Sequence, residues 1–388
     1  MKKAVCIVLA VFMMVGAFAA CGEEKAPETG DAAVLKIGST GPLTGDAAIY
    51  GISVKQGAEI AVDEINAAGG IAGAKIEYKF SDDVADGETA GNAYNNLMDW
   101  GMQLFIGSVT TGSAINTSEK AFNDRVFTLT PSASSADVTA GKDNVFQLCF
   151  TDPNQGIAAA DYMAANYTED KIAVIFRNDD AYSQGIRDSF IKEAAAKNVN
   201  VVYEGTFTAD TATDFSVQIA AAQAAGATLV FLPIYYQPAS VIFAQAKQIG
   251  YAPVFFGVDG MDGILTLDGF DTTLAEGVLV QSPFSADSTD EATAKFVEEY
   301  KNRFGEAPTQ FAADGYDCVY AVKAAFEKAG CTAEMTAEEI CEKLVATFTS
   351  ADFSVNGLTG QNMTWGTNGE VSKAPNIYVI TDGKYVAK

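Results

Sequence analysis

Two hydroxyl-rich turns in the first half of the chain have the residue types to bind a small charged group. The first turn, Ser108–Ser113, follows an apolar stretch at Leu104–Gly107, and the second, Pro131–Ser135, follows another at Val126–Thr130. With a helix between them, these stretches would be neighbouring parallel strands, and both turns would lie at the same carboxyl edge of a sheet. Each turn leads towards a helix start, where free backbone N–H groups and the positive end of the helix dipole favour an anion. The pattern therefore predicts a site for a small carboxylate that needs no full positive charge.

The candidate binding residues of these turns are neutral hydroxyl side chains. They are Thr110, Thr111, Ser132 and Ser134. Serine and threonine are also ordinary turn and N-cap residues, and either turn taken alone is better explained in that way. Two such turns at one sheet edge favour the binding interpretation.

The chain of 388 residues is strongly acidic, with 25 basic against 50 acidic side chains and a formal net charge of −25. This balance opposes nucleic acid and anionic membrane surfaces as partners, because phosphate contacts need lysine and arginine. The chain contains no histidine, which excludes Ser-His-Asp and Cys-His catalysis and the usual zinc sites. Its cysteines show no CxxC spacing, so we expect no metal, no redox centre and no cofactor.

The N-terminus has the pattern of an export signal. Two lysines precede an uninterrupted apolar run, Ala4–Ala20, which ends in small residues. The segment FAAC resembles a bacterial lipoprotein cleavage box with Cys21 as the lipidated residue, and Phe18 stands where leucine is common. We therefore expect a signal peptide over residues 1–20 and a flexible tether over 21–32. The protein would be exported and anchored to the cell membrane by an N-terminal lipid.

The rest of the chain predicts an α/β protein with two units of the same architecture. Strand patterns alternate with amphipathic helix patterns, and at about Thr151 the order restarts. Such an order is typical of a doubly wound parallel sheet. We predict two doubly wound, Rossmann-like lobes joined by a three-segment hinge, with a ligand cleft between the carboxyl ends of both sheets. The N-terminal lobe would span 33–150 plus 283–352, and the C-terminal lobe 151–282 plus 353–388.

The cysteines of the predicted mature chain leave one question open. Cys149 lies in an apolar strand pattern, where it is most simply a small core residue. Cys331 and Cys341 flank a short helical segment and could pair with each other. An exported protein permits a disulfide but does not prove one.

Several motifs occur in a fixed order between Val34 and about Gly260. They are IGSTGPLTGDAAIYG, GAEIAVDEINAAGGIAG, IGSVTTGS, TPSAS, FTDPNQG, AYSQG and FGVDG. In this order they resemble the type I periplasmic binding proteins of amino-acid ABC importers, above all the leucine/isoleucine/valine-binding family. The C-terminal part is similar mainly by pattern, including VNGLTGQNMTWGTNGE. The resemblance implies a type I periplasmic-binding-protein-like fold.

The resemblance also implies roles for individual residues. The two hydroxyl turns would hold the ligand's α-carboxylate and part of its ammonium. An acid of the second lobe would neutralise the ammonium, and Asp259 in FGVDG stands where the family often has glutamate. Tyr50, Tyr182 and Tyr236 match aromatic residues near the ligand, with Tyr235 as the second choice on the same loop. The matching residues of the turns are Thr110, Thr111, Ser132, Ala133 and Ser134, with Ala133-Ser134 in place of the family's usual Ala-Thr.

The function that the resemblance implies is that of an extracytoplasmic solute-binding protein. It would close on an amino acid, most simply a branched-chain or other apolar L-amino acid, and deliver it to the membrane permease subunits of an ABC importer. The protein would be a monomer and not an enzyme.

Three alternatives remain. The same fold could bind an amide, an aromatic acid, a peptide or a purine, and it could serve a surface sensor instead of a transporter. The cleft loops lack arginine and lysine apart from Arg177, and this absence disfavours dicarboxylates and phosphates as ligands. A nucleotide-using α/β enzyme is disfavoured because no GxGxxG follows the first strand and GGIAGAK lacks the spacing of a phosphate-binding loop.

Overall fold

The structure is a computed structural model that describes residues 33–388. The predicted signal peptide (1–20), the predicted tether (21–32) and the predicted lipidation residue Cys21 lie outside the described residues.

Within residues 33–388 the chain alternates between strands and helices. The strands are β1 (Val34–Gly41), β2 (Lys75–Asp82), β3 (Leu104–Ile106), β4 (Thr128–Thr130), β5 (Val145–Gln147), β6 (Ile172–Arg177), β7 (Val201–Phe207), β8 (Leu229–Leu232), β9 (Val254–Gly257), β10 (Leu279–Ser282), β11 (Asn376–Thr381) and β12 (Lys384–Ala387). The helices are α1 (Ala48–Ala67), α2 (Gly87–Asp99), α3 (Thr111–Asn123), α4 (Asp152–Asn166), α5 (Ala181–Lys197), α6 (Ser216–Ala224), α7 (Tyr236–Gln248), α8 (Glu291–Phe304), α9 (Gln310–Lys328) and α10 (Ala337–Phe348).

The strands form two sheets whose parallel parts have the same topology. The first sheet has the order β2-β1-β3-β4-β5, with every pair parallel. The second sheet has the order β12-β11-β10-β9-β8-β6-β7, and its strands β7-β6-β8-β9-β10 repeat the first order. Strands β11 and β12 are added antiparallel at its edge. Two doubly wound parallel sheets of this kind confirm the predicted fold class.

The two sheets define two lobes, each with apolar side chains that the flanking helices cover. In the first lobe, strand residues such as Ile37 and Leu129 pack with Phe326 of α9 and Leu344 of α10. In the second lobe, buried residues of the β6, β8 and β9 strands pack against α4 and α5. Strands buried on both faces are typical of parallel sheets covered by helices on each side.

Helices α1 and α9 of the first lobe lie against each other at backbone distance. A Cβ atom at Gly57 would come within 1.8 Å of the carbonyl oxygen of Ala312. Only glycine permits this approach, because no real Cβ atom could occupy that space. Helix α9 is therefore fixed to the first lobe through α1.

The segment before β11 packs against the first lobe. Residues 353–371 were expected in the C-terminal lobe, but Phe353 and Trp365 pack into the core of the first lobe. The indole of Trp365 donates to the carbonyl of Gln147 at 2.8 Å, and Lys373 Nζ donates to the carbonyl of Leu148 at 3.1 Å. These contacts attach the segment after residue 352 to the first lobe, and the boundary predicted at residue 352 stays a prediction. The sequence did not reveal this because apolar residues in short irregular segments carry no periodicity.

The described residues also answer three questions about membrane spans, metal clusters and cysteines. In residues 33–388 no helix combines the length and apolar character needed to cross a membrane. The same residues contain no cluster of three side chains with the geometry of a metal site. Cys149, Cys318, Cys331 and Cys341 are buried free thiols, so Cys331 and Cys341 are not joined in this structure.

Candidate functional site

Loops from the carboxyl ends of both sheets meet around one small internal cavity. The first lobe contributes the turns after β3 and β4, and the second lobe contributes the loops after β6, β8 and β9. Only about 10 Å³ of this cavity is free, so the side chains that line it already fill most of it. The lining residues are Tyr50, Val109, Thr110, Thr111, Ser132, Tyr182, Tyr235, Asp259, Gly260 and Phe311.

The start of α3 forms the first-lobe side of the cavity. Thr110 is the N-cap of α3, but its hydroxyl makes no cap hydrogen bond and is buried without a partner among the described residues. The helix itself leaves the N–H groups of its first turn unused. These N–H groups and the hydroxyls of Thr110 and Thr111 are all hydrogen-bond donors beside the positive end of the helix dipole, which suits a carboxylate.

The second hydroxyl turn braces this arrangement. Ser132 Oγ donates to the carbonyl of Val109 at 2.7 Å, and Thr130 Oγ1 donates to the carbonyl of Ser108 at 2.8 Å. The carbonyl of Ala133 accepts from Gln147 Nε2 at 2.8 Å. The two turns predicted from the sequence are therefore tied together at one edge of the first sheet.

Ser134 lies one layer behind the cavity, beside an acid. Its carbonyl accepts from the backbone N–H of Asp152 at 2.9 Å, and Asp152 is the first residue of α4. The Ser134 hydroxyl and both carboxyl oxygens of Asp152 are buried without a hydrogen-bond partner among the described residues. Burial raises the pKa of Asp152 well above its usual value, and the nearby charge of Asp259 acts in the same direction.

Asp259 forms the second-lobe side of the cavity, in the short 3₁₀ turn Asp259–Met261 after β9. Its Oδ1 accepts from the hydroxyl of Tyr182 at 2.6 Å and from the N–H of Gly260 at 2.7 Å. Burial raises the pKa of Asp259 to about 6, although the Tyr182 hydroxyl opposes this by stabilising the carboxylate. A carboxylate buried in this way is an acceptor suited to a cationic group.

Tyrosines from both lobes enclose Asp259. The ring of Tyr182 stacks on that of Tyr235, with centroids 4.9 Å apart and planes at 24°. The hydroxyl of Tyr50 in α1 donates to the carbonyl of Gly260 at 2.5 Å, which joins the first lobe to the second.

Tyr235 and Tyr236 point to different places. Tyr235 lines the cavity, whereas Tyr236 is absent from its lining and donates its hydroxyl to the carbonyl of Asp46 at 2.7 Å. Tyr236 still packs edge-on against Tyr50, with centroids 5.1 Å apart. Tyr235 is the extended N-cap of α7 and Tyr236 its first helical residue, so consecutive side chains diverge. The sequence could not decide between these neighbours.

Four residues near Asp259 were not predicted from the sequence. Gln155 Oε1 accepts from the backbone N–H of Asp259 at 3.1 Å, and Gln310 Nε2 donates to its carbonyl at 3.0 Å. Asp152 and Gln155 belong to the FTDPNQG motif, and their position at a helix start was an available signal. Gln310 and Phe311 come from α9, far along the chain, and no local pattern marks them.

A much larger cleft adjoins the cavity and shares Thr110 and Tyr235 with it. Its volume is about 1140 Å³. Arg177, the basic residue that the sequence singled out, lines this cleft, but its Nε donates to Asp179 Oδ1 at 2.6 Å. The basic charge is thus already paired within its own loop.

The cavity brings opposite chemistries together from two lobes of the same topology. Donors for a carboxylate lie on the first lobe, and an acceptor for a cation lies on the second. This arrangement, between the carboxyl edges of two sheets, is that of a two-lobed binding protein for small solutes.

The chain belongs to the periplasmic binding protein family, whose profile matches residues 34–384. It is 33% identical over 306 residues to Leu/Ile/Val-binding protein homolog 3 of Brucella melitensis, covering 78% of this chain and 81% of that protein. Membership of this family indicates an extracytoplasmic location.

Two solved structures show the same fold. The branched-chain amino acid transporter substrate-binding protein LivJ of Streptococcus pneumoniae, in complex with isoleucine, has a TM-score of 0.82 at 27% identity. That match covers 91% of this chain and 98% of the other. A leucine-binding protein of Thermotoga maritima has a TM-score of 0.81 at 26% identity, covering 91% and 97%.

Proposed function

We propose that the protein binds an L-amino acid, most simply a branched-chain or other apolar one, between its lobes. The observation that carries this proposal is the pairing across one cavity of the α3 start with Asp259. A zwitterion needs donors for its carboxylate and an acceptor for its ammonium, and both kinds of hydrogen bond are charge-assisted. The names of the relatives, which bind leucine, isoleucine and valine, support the same class of ligand.

In the proposed mechanism the first lobe binds the zwitterion and the second lobe closes on it. Thr110, Thr111 and the first-turn N–H groups of α3 hold the carboxylate. Asp259 and Tyr182 then join from the second lobe. The ammonium of the ligand pairs with the Asp259 carboxylate and so compensates for the hydration that this group loses on burial.

Closure would couple ligand occupancy to a shape that the permease subunits of an ABC importer recognise. We propose that the protein acts as a carrier and not as an enzyme, in keeping with its membership of the periplasmic binding protein family. We also propose that it acts as a monomer anchored through Cys21. A Cys21→Ser protein should leave the membrane fraction and should sediment as a monomer, and its retention in the membrane fraction would exclude this anchor.

The lobe division is proposed from the packing. The first lobe comprises 33–150 and 283–373, and the second comprises 151–282 and 374–388. The three crossovers lie after β5, after β10 and before β11. Ligand-dependent protection from proteolysis at these three segments would test the division.

A second candidate rests on the 1140 Å³ cleft. Its volume exceeds the needs of a single small amino acid, since ligand pockets for drug-sized molecules are commonly about 300–1,000 Å³. A peptide, an aromatic acid or a purine could extend from the cavity into this cleft.

The deciding experiment is a thermal-shift screen of residues 22–388, refolded to remove bound ligand. The panel contains the twenty amino acids, small amides, aromatic acids, short peptides and purines. A rise in melting temperature confined to a few L-amino acids, growing with concentration as linkage requires, would support the amino-acid proposal. A response to another class alone would replace it with the second candidate.

The matched control is Asp259→Asn, which keeps the size of the side chain and removes its charge. It should weaken the response to amino acids by more than tenfold in ligand concentration while the protein stays folded. A full response from this variant would remove Asp259 from the site.

A further inference from the structure

Helix α9 begins without a capping group from its own sequence. Thr309 occupies the N-cap position, but its hydroxyl is buried and has no hydrogen-bond partner among the described residues. The first turn of α9 contains no acidic residue. The N–H groups of a first helical turn need acceptors from elsewhere, so the cap of α9 comes from outside the helix.

The missing cap comes from Asp262, in the loop after β9 of the second sheet. The backbone N–H of Gln310 donates to Asp262 Oδ2 at 2.7 Å. A carboxylate at a helix N-terminus is favoured by the helix dipole, and a charge-assisted hydrogen bond is stronger than a neutral one. Asp262 therefore acts as an N-cap supplied by the other lobe.

Gln310 also holds the opposite end of the same loop. Its Nε2 donates to the backbone carbonyl of Asp259 at 3.0 Å, and that carbonyl also accepts from the N–H of Asp262 at 2.9 Å. One residue of α9 thus fixes the turn at Asp259 through its side chain and at Asp262 through its backbone.

The two partners belong to different lobes. Helix α9 is fixed to α1, since a Cβ atom at Gly315 would lie 2.4 Å from the carbonyl oxygen of Val54. Asp259 and Asp262 follow β9 of the second sheet. Separation of the lobes would break both hydrogen bonds at once.

We propose that Gln310 and Asp262 form an interlobe clasp that positions Asp259 for the ligand's ammonium and is complete only when the lobes are closed. Both are positioning residues, because they act on the ligand through the backbone of the turn that carries Asp259. The inference rests on the proposed function, since it assigns to the ammonium site a contribution from the first lobe.

The two clasp residues are buried, and this should affect the rate at which the ligand dissociates. Gln310 is 2% exposed and Asp262 is 5% exposed. Removing either partner leaves the other as a buried polar group without its hydrogen bond, which is unfavourable in the closed state only. The clasp should therefore slow dissociation of the ligand more than it speeds association.

The experiment compares two clasp variants with a matched cap variant. Gln310→Leu removes the bond to the Asp259 carbonyl and keeps the backbone cap. Asp262→Ala removes the cap. Asp290→Ala is the control, because Asp290 caps α8 by accepting from Thr293 N at 3.0 Å within one helix start. The probe is L-leucine, with L-isoleucine as a second probe, and the readouts are the dissociation rate and the melting temperature of the ligand-free protein.

Each clasp variant should release L-leucine about tenfold faster than the unchanged protein, a loss typical of a buried hydrogen bond. Their ligand-free melting temperatures should change little. Asp290→Ala should show the reverse, a lower melting temperature and an unchanged dissociation rate. Unchanged dissociation from Gln310→Leu would overturn the proposal even if Asp262→Ala did not fold.

A separate readout covers the case in which no amino acid binds at all. That outcome would refute the proposed function. The clasp would then be tested by hydrogen exchange of the Gln310 backbone amide. With whichever compound of the thermal-shift screen raises the melting temperature bound, exchange should be slow in the unchanged protein and faster in Asp262→Ala. Equal rates would show that no clasp forms.

Discussion

The two sides of the cavity differ in what each needs before a ligand arrives. The first-lobe side consists of neutral hydroxyls and N–H groups at the start of α3, and the bond from Ser132 to Val109 ties its two turns together. The second-lobe side consists of Asp259, a carboxylate that burial has made costly to ionise. The first lobe therefore presents neutral donors that carry no charge cost before a ligand arrives, whereas the buried carboxylate of the second lobe needs a proton or a cation.

The largest effect is expected from Asp259→Ala. Truncating one partner of a buried charge pair costs about 2–5 kcal/mol in binding, so affinity for L-leucine or L-isoleucine should fall by well over tenfold. Calorimetry measures this directly. The ligand-free variant should be no less stable than the unchanged protein at pH 8, because a buried charge has been removed. An unchanged dissociation constant would show that Asp259 makes no charged interaction with the ligand, and the two sides of the cavity would then not differ in this way.

On the first-lobe side, Thr111→Val should weaken binding by about five- to tenfold, since one hydroxyl donor is lost from a group of several. Its ligand-free melting temperature should stay close to that of the unchanged protein. The comparison variant is Thr117→Val on the same helix, whose hydroxyl bonds to Ser108 Oγ at 2.9 Å in the core. That variant should lose stability and keep affinity. A large drop in the melting temperature of Thr111→Val would make Thr111 a structural cap residue.

The titration of Asp259 predicts the direction of the pH dependence. Burial raises its pKa from 3.8 to about 6 in the folded protein, so the ligand-free protein should lose stability as pH rises through about 6. The groups that act on it are Tyr182 and Gln155 through hydrogen bonds and Asp314 through its charge. A bound ammonium favours the carboxylate and should lower this pKa, so binding near pH 6 releases a proton.

Affinity should therefore rise from pH 5 to pH 7 and level off above that. The ligand-induced shift in melting temperature, measured across this range, checks the expectation. Asp259→Asn serves as the control, because its residual binding should not vary with pH through this group. A flat profile in the unchanged protein would show that Asp259 does not meet the ammonium.

The contrast between the sides also explains what the sequence could predict. The hydroxyl turns follow strands of one sheet in close succession, so strand order alone brought them together. Asp259 was predicted as a site residue through the FGVDG motif, and it lines the same cavity in the structure. The residues around it came from far along the chain: Gln310 and Phe311 lie in a helix that returns to the first lobe after the second is complete.

The sequence failed where geometry depends on a single dihedral angle or on irregular packing. Tyr235 and Tyr236 are consecutive, and only the start of α7 decides which of them lines the cavity. The segment 353–371 has no periodic pattern, so its packing on the first lobe through Phe353 and Trp365 could not be predicted. The doubly wound parallel class of the two sheets, by contrast, followed from alternating strand and helix patterns.

The smallest effects should separate these two tyrosines. Tyr235→Leu removes a ring that stacks on Tyr182 at the cavity, so it should weaken amino-acid binding by about threefold to tenfold. Tyr236→Phe removes only the hydroxyl that reaches Asp46 across the lobes, and it should change affinity by less than about threefold. Calorimetry on both variants gives the order. If Tyr236→Phe were the weaker binder, closure through the Asp46 contact would matter more than the lining of the cavity, and the tyrosines would belong to the joint between the lobes.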